Sequence, residues 1–150
     1  KDRLRATRLN IGDEAIPIVG KTTSGASFSS TAMRGKPLVA MFYTASDFDT
    51  EPLLKLLKEQ REKHPDLAIV GICLDRDPNR IKKSITELGI DFPVIGDGRG
   101  AETDAALRWF VEGPVVHVFD KAGKVAGLGM QAGTRDGRTD LTNAIERASR

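Results

Sequence analysis

Leu38-Val39-Ala40-Met41-Phe42-Tyr43 is followed by a polar stretch, Thr44 to Thr50, and then by Glu51-Pro52-Leu53-Leu54-Lys55-Leu56-Leu57-Lys58. Six consecutive apolar positions suit a strand covered on both faces. Beyond it, Leu53, Leu54, Leu56 and Leu57 make an apolar stripe, while Lys55, Lys58, Glu59 and Arg61 take the opposite face. Pro52 lies in the first turn, where its missing N–H would be unpaired anyway. A helix is therefore predicted to run to about His64, with Thr50 or Asp49 capping its first donors and His64-Pro65-Asp66 ending it. Leu67 to Leu74 repeats the buried-strand pattern. Strands separated by helical crossovers imply a parallel core, which places the chain in the α/β class.

Working upstream, Ile11 to Arg34 is rich in Gly, Ser and Thr, with apolar Ile16, Ile18 and Phe28 and a turn at Ser24-Gly25, which reads as a β-hairpin. Downstream, Asp75 to Pro78 turns onto a helix carrying Ile81, Ile85 and Leu88, stopped by Gly89 as a left-handed C-cap. Phe92-Pro93-Val94-Ile95 reads as a short strand, Gly96 to Gly100 as a loop and Ala101 to about Trp109 as a short helix. Val115 to Phe119 and Lys124 to Met130 flank the turn Asp120-Lys121-Ala122-Gly123, a second hairpin. Arg138 to Ala148 closes the chain as a helix with Leu141, Ala144, Ile145 and Ala148 on its core face. The expected product is a mixed sheet flanked by helices on both faces, with an N-terminal β-hairpin extension.

A chain of 150 residues suits one domain. Residues 1–10 read as a basic segment or linker and residues 11–150 as the domain. The hydrophobic share of 39% and charged share of 29% belong to an ordinary globule and exclude disordered and collagen-like chains. The formal net charge is only +2, and the excess sits in Lys1, Arg3, Arg5 and Arg8, so no basic field for nucleic acid is present. The longest apolar run is far short of the roughly 18 residues of a membrane span. A single cysteine, Cys73, rules out an internal disulfide and a cysteine-only metal cage.

Gly12-Asp13-Glu14-Ala15 with Pro17, Ser24 to Ser29, and Arg34-Gly35-Lys36-Pro37 running into Leu38 to Tyr43 resemble the opening of redoxin-type thioredoxin-fold proteins. Val70 to Asp75, Glu87 to Val94, Gly113-Pro114-Val115-Val116-His117-Val118-Phe119-Asp120 and Gly123-Lys124 continue the likeness in order and at family spacing. The pattern is most similar to TlpA/ResA-like thiol-disulfide oxidoreductases, with the AhpC/TSA-related peroxiredoxins second. That resemblance implies a thioredoxin-like fold and an extracytoplasmic setting, periplasmic or secreted. It also implies a W-C-x-x-C motif at the start of the first helix, where the helix N-terminus stabilises a thiolate.

Here the same stretch reads Thr44-Ala45-Ser46-Asp47-Phe48-Asp49-Thr50-Glu51, and both cysteines are missing. Asp47 and Thr50 fall nearest the two cysteine positions. A peroxidatic cysteine is absent from this loop too. Pro114 matches the family's cis-proline by its distance to Val115 to Asp120, although Gly113 replaces the usual bulkier residue. The resemblance thus implies a groove formed by Tyr43, Ser46, Asp47, Phe48, Asp49 and Thr50 together with Gly113 and Pro114, kept for a protein or peptide partner after the thiols were lost. The rival expectation is a thiol-dependent oxidoreductase, reducing disulfide or peroxide through Cys73 or a partner's thiol.

The remaining chemistry-bearing residues favour structural roles. Asp47, Asp49 and Glu51 alternate as oxygen ligands for a hard cation could, but carboxylates at a helix start ordinarily cap donors and complement the dipole. Asp75-Arg76-Asp77-Pro78-Asn79 opens like a calcium loop yet has Arg80 and Thr86 where Gly and Glu are needed. Cys73, inside a buried strand, reads as a structural thiol. His64 ends a helix and His117 packs along a hairpin strand, so no zinc site or Cys–His dyad is expected. Trp109 reads as a core or groove-wall aromatic, and Met33, Met41 and Met130 as filler. Gly96 to Gly100 lacks the Lys-Ser/Thr ending of a phosphate loop. No cofactor and no metal are expected.

Overall fold

The computed structural model describes residues 9–150. Most of the basic segment expected over residues 1–10, including Lys1, Arg3, Arg5 and Arg8, lies outside the described residues. A two-stranded antiparallel sheet, β1 (Val19–Lys21) and β2 (Ser27–Ser29), precedes the main sheet. The main sheet contains β3 (Leu38–Tyr43), β4 (Ala68–Cys73), β5 (Val94–Ile95), β6 (Val115–Phe119) and β7 (Val125–Met130), in the order β5-β4-β3-β6-β7. β3 pairs in parallel with β4 and antiparallel with β6, so the expected parallel half and antiparallel hairpin meet at the central strand.

Four α-helices flank the sheets among the described residues: α1 (Thr50–Lys63), α2 (Pro78–Glu87), α3 (Asp104–Arg108) and α4 (Arg135–Ala148). Alternation along β3 splits the core in two. Val39, Met41 and Tyr43 pack with Leu53 and Leu57 of α1, Ile81 of α2 and Leu141 and Ile145 of α4. Leu38, Ala40 and Phe42 join Ile18, Phe28, Trp109 and Phe119 on the opposite face. Both sides of β3 are thereby covered, as its unbroken apolar run requires, and all six of its residues are buried.

Several boundaries differ from the sequence expectation. α4 begins at Arg135 rather than Arg138 because the Thr134 side chain caps it, accepting from the Gly137 N–H at 2.9 Å. The short helix expected from Ala101 is a 3-10 turn, Gly100–Glu102, followed by α3. Gly89 has φ +65° after α2, the left-handed stop expected of it. Asp77, from the segment that opens like a calcium loop, caps α2 by accepting from the Asn79 N–H at 3.0 Å.

Candidate functional site

β3 ends at Tyr43, and the loop to α1 is wound by its own polar groups. The Asp47 N–H donates to the Thr44 carbonyl at 3.4 Å, and the Thr50 N–H to the Asp47 carbonyl at 3.2 Å. The Thr50 hydroxyl, buried, donates to the Thr44 carbonyl at 2.8 Å. This corrects the capping expectation. Asp49 occupies the N-cap with φ −85° and ψ −7°, a helical conformation, and makes no side-chain cap bond. A capping side chain needs an extended backbone to reach the first free N–H groups, so Asp49 contributes only its carbonyl, which accepts from Leu53 N–H at 3.0 Å. Its carboxylate lies instead against Gly133 of the β7–α4 loop, where a Cβ would meet Asp49 Oδ2 at 2.5 Å.

A second tie runs from β4. Asp75 accepts through the same oxygen, Oδ2, from the Ala45 N–H at 3.0 Å and from the Cys73 thiol at 3.3 Å. Asp75 therefore joins the end of β4 to the start of the loop. Cys73 faces Tyr43 across the β3–β4 pair and is 0% exposed. Burial pushes its thiol up to about 12, the hydrogen bond to Asp75 Oδ2 and that group's charge adding to the effect. The Tyr43 phenol is likewise pushed up by burial and by the neighbouring Cys73; its hydroxyl sits beside Cys73 and Ser84 without a hydrogen bond of good geometry.

Asp47, Asp49 and Thr50 line a cleft of about 150 Å³ together with Tyr43 and Pro114. Five of the eight groove residues expected from the sequence are thus brought together. Ser46, Phe48 and Gly113 do not line the cleft: Ser46 is exposed, Phe48 stands 96% exposed between the two aspartates, and Gly113 is half-buried. The remaining wall comes from Phe42, Leu53, Val115 and Val116 and from Met130, Gln131 and Ala132. The last three were not foreseen. Their signal was the hairpin itself, because pairing of Val116 with Met130 carries the end of β7 alongside the Pro114 turn.

The peptide bond before Pro114 corrects the cis expectation: no cis peptide occurs among the described residues, so it is trans. Trans is the lower-energy isomer of an X–Pro bond by roughly 0.5–1 kcal/mol. Among the described residues, no three His, Cys, Asp or Glu side chains converge as a cation cage. His117 is buried, accepts at Nδ1 from the Gly129 N–H at 3.0 Å and packs 4.9 Å from the Trp109 ring. Burial lowers its pKa to about 4. Trp109 belongs to the core and does not line the cleft. A larger groove of about 440 Å³ runs between α1 and the α2–β5 connection, with Lys55, Lys58 and Arg61 balanced by Glu51, Glu87 and Asp91.

A mixed sheet with this strand order, flanked by helices and extended by a hairpin, defines a thioredoxin-like domain. Residues 11–127 match the AhpC/TSA family, and the chain belongs to that family. It is 31% identical over 96 residues to the thiol-disulfide oxidoreductase YkuV of Bacillus subtilis, a match covering 60% of this chain and 64% of that protein. Among solved structures, it resembles the thioredoxin domain of a thiol-disulfide oxidoreductase from Bacteroides vulgatus, with TM-score 0.78, 21% identity and coverage of 95% and 100% of the two chains. A secreted disulfide oxidoreductase of Mycobacterium tuberculosis gives TM-score 0.69 at 19% identity, covering 87% of this chain and 95% of that one. With one cysteine in 150 residues, no CxxC pair exists here.

Proposed function

We propose that this domain is a non-catalytic binding module of the AhpC/TSA family, which receives an extended segment of a partner protein in the cleft between the Asp47–Thr50 loop and the Pro114 turn. The observation that carries the reading is a pairing: the cleft is open at the helix start, whereas the lone thiol is fully buried and hydrogen-bonded. Thiol–disulfide exchange proceeds through a thiolate attacking sulfur in line, which a carboxylate cannot replace and a buried thiol cannot reach. An oxidoreductase acting through Cys73 would need that residue exposed with a lowered pKa, and both features run the other way. The likeness to YkuV supports an ancestry in disulfide chemistry, and the secreted mycobacterial neighbour supports an extracytoplasmic setting.

Titration of the isotope-labelled chain with short, end-blocked extended peptides tests the reading. Amide shifts confined to Asp47, Asp49, Thr50, Val115 and Met130 are expected. Shifts at none of these positions with any peptide would overturn it, as would catalytic reduction of a disulfide.

A further inference from the structure

Resting on the binding reading above, we propose that the cleft takes the cationic side chain of a lysine or arginine carried on that partner segment. Asp47 and Asp49 are the charged residues of the cleft wall, and no Lys, Arg or His lines it. Neither carboxylate has an ion-pair partner among the described residues. The Arg138 guanidinium donates to the Ala132 carbonyl at 3.0 Å and forms no ion pair with either. The N-terminus of α1 contributes roughly half a positive charge, which two carboxylates outweigh.

Covering the cleft would force both carboxylates out of water. An apolar or acidic occupant would leave them buried and uncompensated, a cost that selects against it, whereas a cation supplies the missing partner. Leu53, Val116 and Met130 offer apolar surface along which an alkyl stem can lie while its charged head reaches the aspartates. A volume of about 150 Å³ has room for one side chain, being comparable to cavities that hold a benzene molecule. The larger groove beside α1 has balanced charge and exerts no such selection.

Three end-blocked peptides differing only at a central lysine, norleucine or glutamate, with uncharged β-forming flanks, are titrated into the full chain and followed by amide shifts. The lysine peptide is expected to bind about tenfold tighter than the norleucine peptide, and the glutamate peptide weakest. The lysine advantage should shrink in about 1 M salt, where the screening length falls to about 3 Å. In the Asp47→Asn, Asp49→Asn double variant the lysine peptide should lose its advantage over norleucine. Equal binding of lysine and norleucine peptides at the cleft overturns the cation assignment and leaves the binding reading standing. Absence of cleft shifts with all three overturns both.

Discussion

Asp75 shows how much of the candidate site rests on single residues. One carboxylate oxygen holds both the Ala45 amide and the Cys73 thiol, so Asp75→Ala removes two acceptor contacts and leaves donors at a partly buried position. A loss of about 1–3 kcal/mol in stability is expected, with faster hydrogen exchange at Ala45; unchanged exchange there would show that the loop is held by other means. Cys73 is fully buried, and that burial pushes its thiol up to about 12, far from the thiolate form at pH 7. Native-state labelling by a thiol reagent should therefore track unfolding, and rapid labelling of the folded chain would contradict the burial. His117 carries the clearest pH signature. Its pKa in the fold, about 4, lies below the ordinary 6.5, so the unfolded chain binds the extra proton first. The stabilisation is complete above pH 6.5 and lost as pH falls toward 4, by about 3 kcal/mol. Denaturant melts at pH 7 and pH 4.5 should show this loss in the parent chain and a smaller one in His117→Phe.

At the level of elements, α4 gives two opposed expectations. Thr134→Ala removes a side-chain cap and should cost about 1 kcal/mol in a denaturant melt. Gly137→Ala raises helix propensity, worth up to about 1 kcal/mol, yet a Cβ at Gly137 would run into the Gln131 carbonyl. The clash is with backbone and should win, so this variant is expected to melt lower and to disturb Gln131 and Ala132 in the cleft wall; a higher melting temperature would show that the loop yields freely. The same helix marks a limit of legibility. Its core face was readable from the spacing of Leu141, Ala144, Ile145 and Ala148, but its true start was hidden because Arg135 to Thr139 carry no apolar periodicity. β3 and β4 were readable almost to the residue, since burial on both faces leaves an unmistakable apolar run. Asp49 was misread as a side-chain cap because sequence gives residue type without backbone angle.

The whole molecule assembles its cleft from three places: the β3–α1 loop, the Pro114 turn and the β7–α4 connection. Two of these were legible because family spacing marks them. The third was not, since Gln131 and Ala132 carry no motif and reach the site only through the β6–β7 hairpin. The trans bond before Pro114 was equally beyond sequence, because spacing identifies the proline and says nothing of its isomer. What unites these features is a thioredoxin-like scaffold whose helix mouth presents Asp47, Asp49 and Thr50 and whose one thiol is sealed inside. The most direct measurement is turnover of a disulfide substrate in the presence of a reductant, by the chain and by its Cys73→Ala variant. Both should match the uncatalysed rate; turnover by the parent chain that disappears in Cys73→Ala would contradict the account.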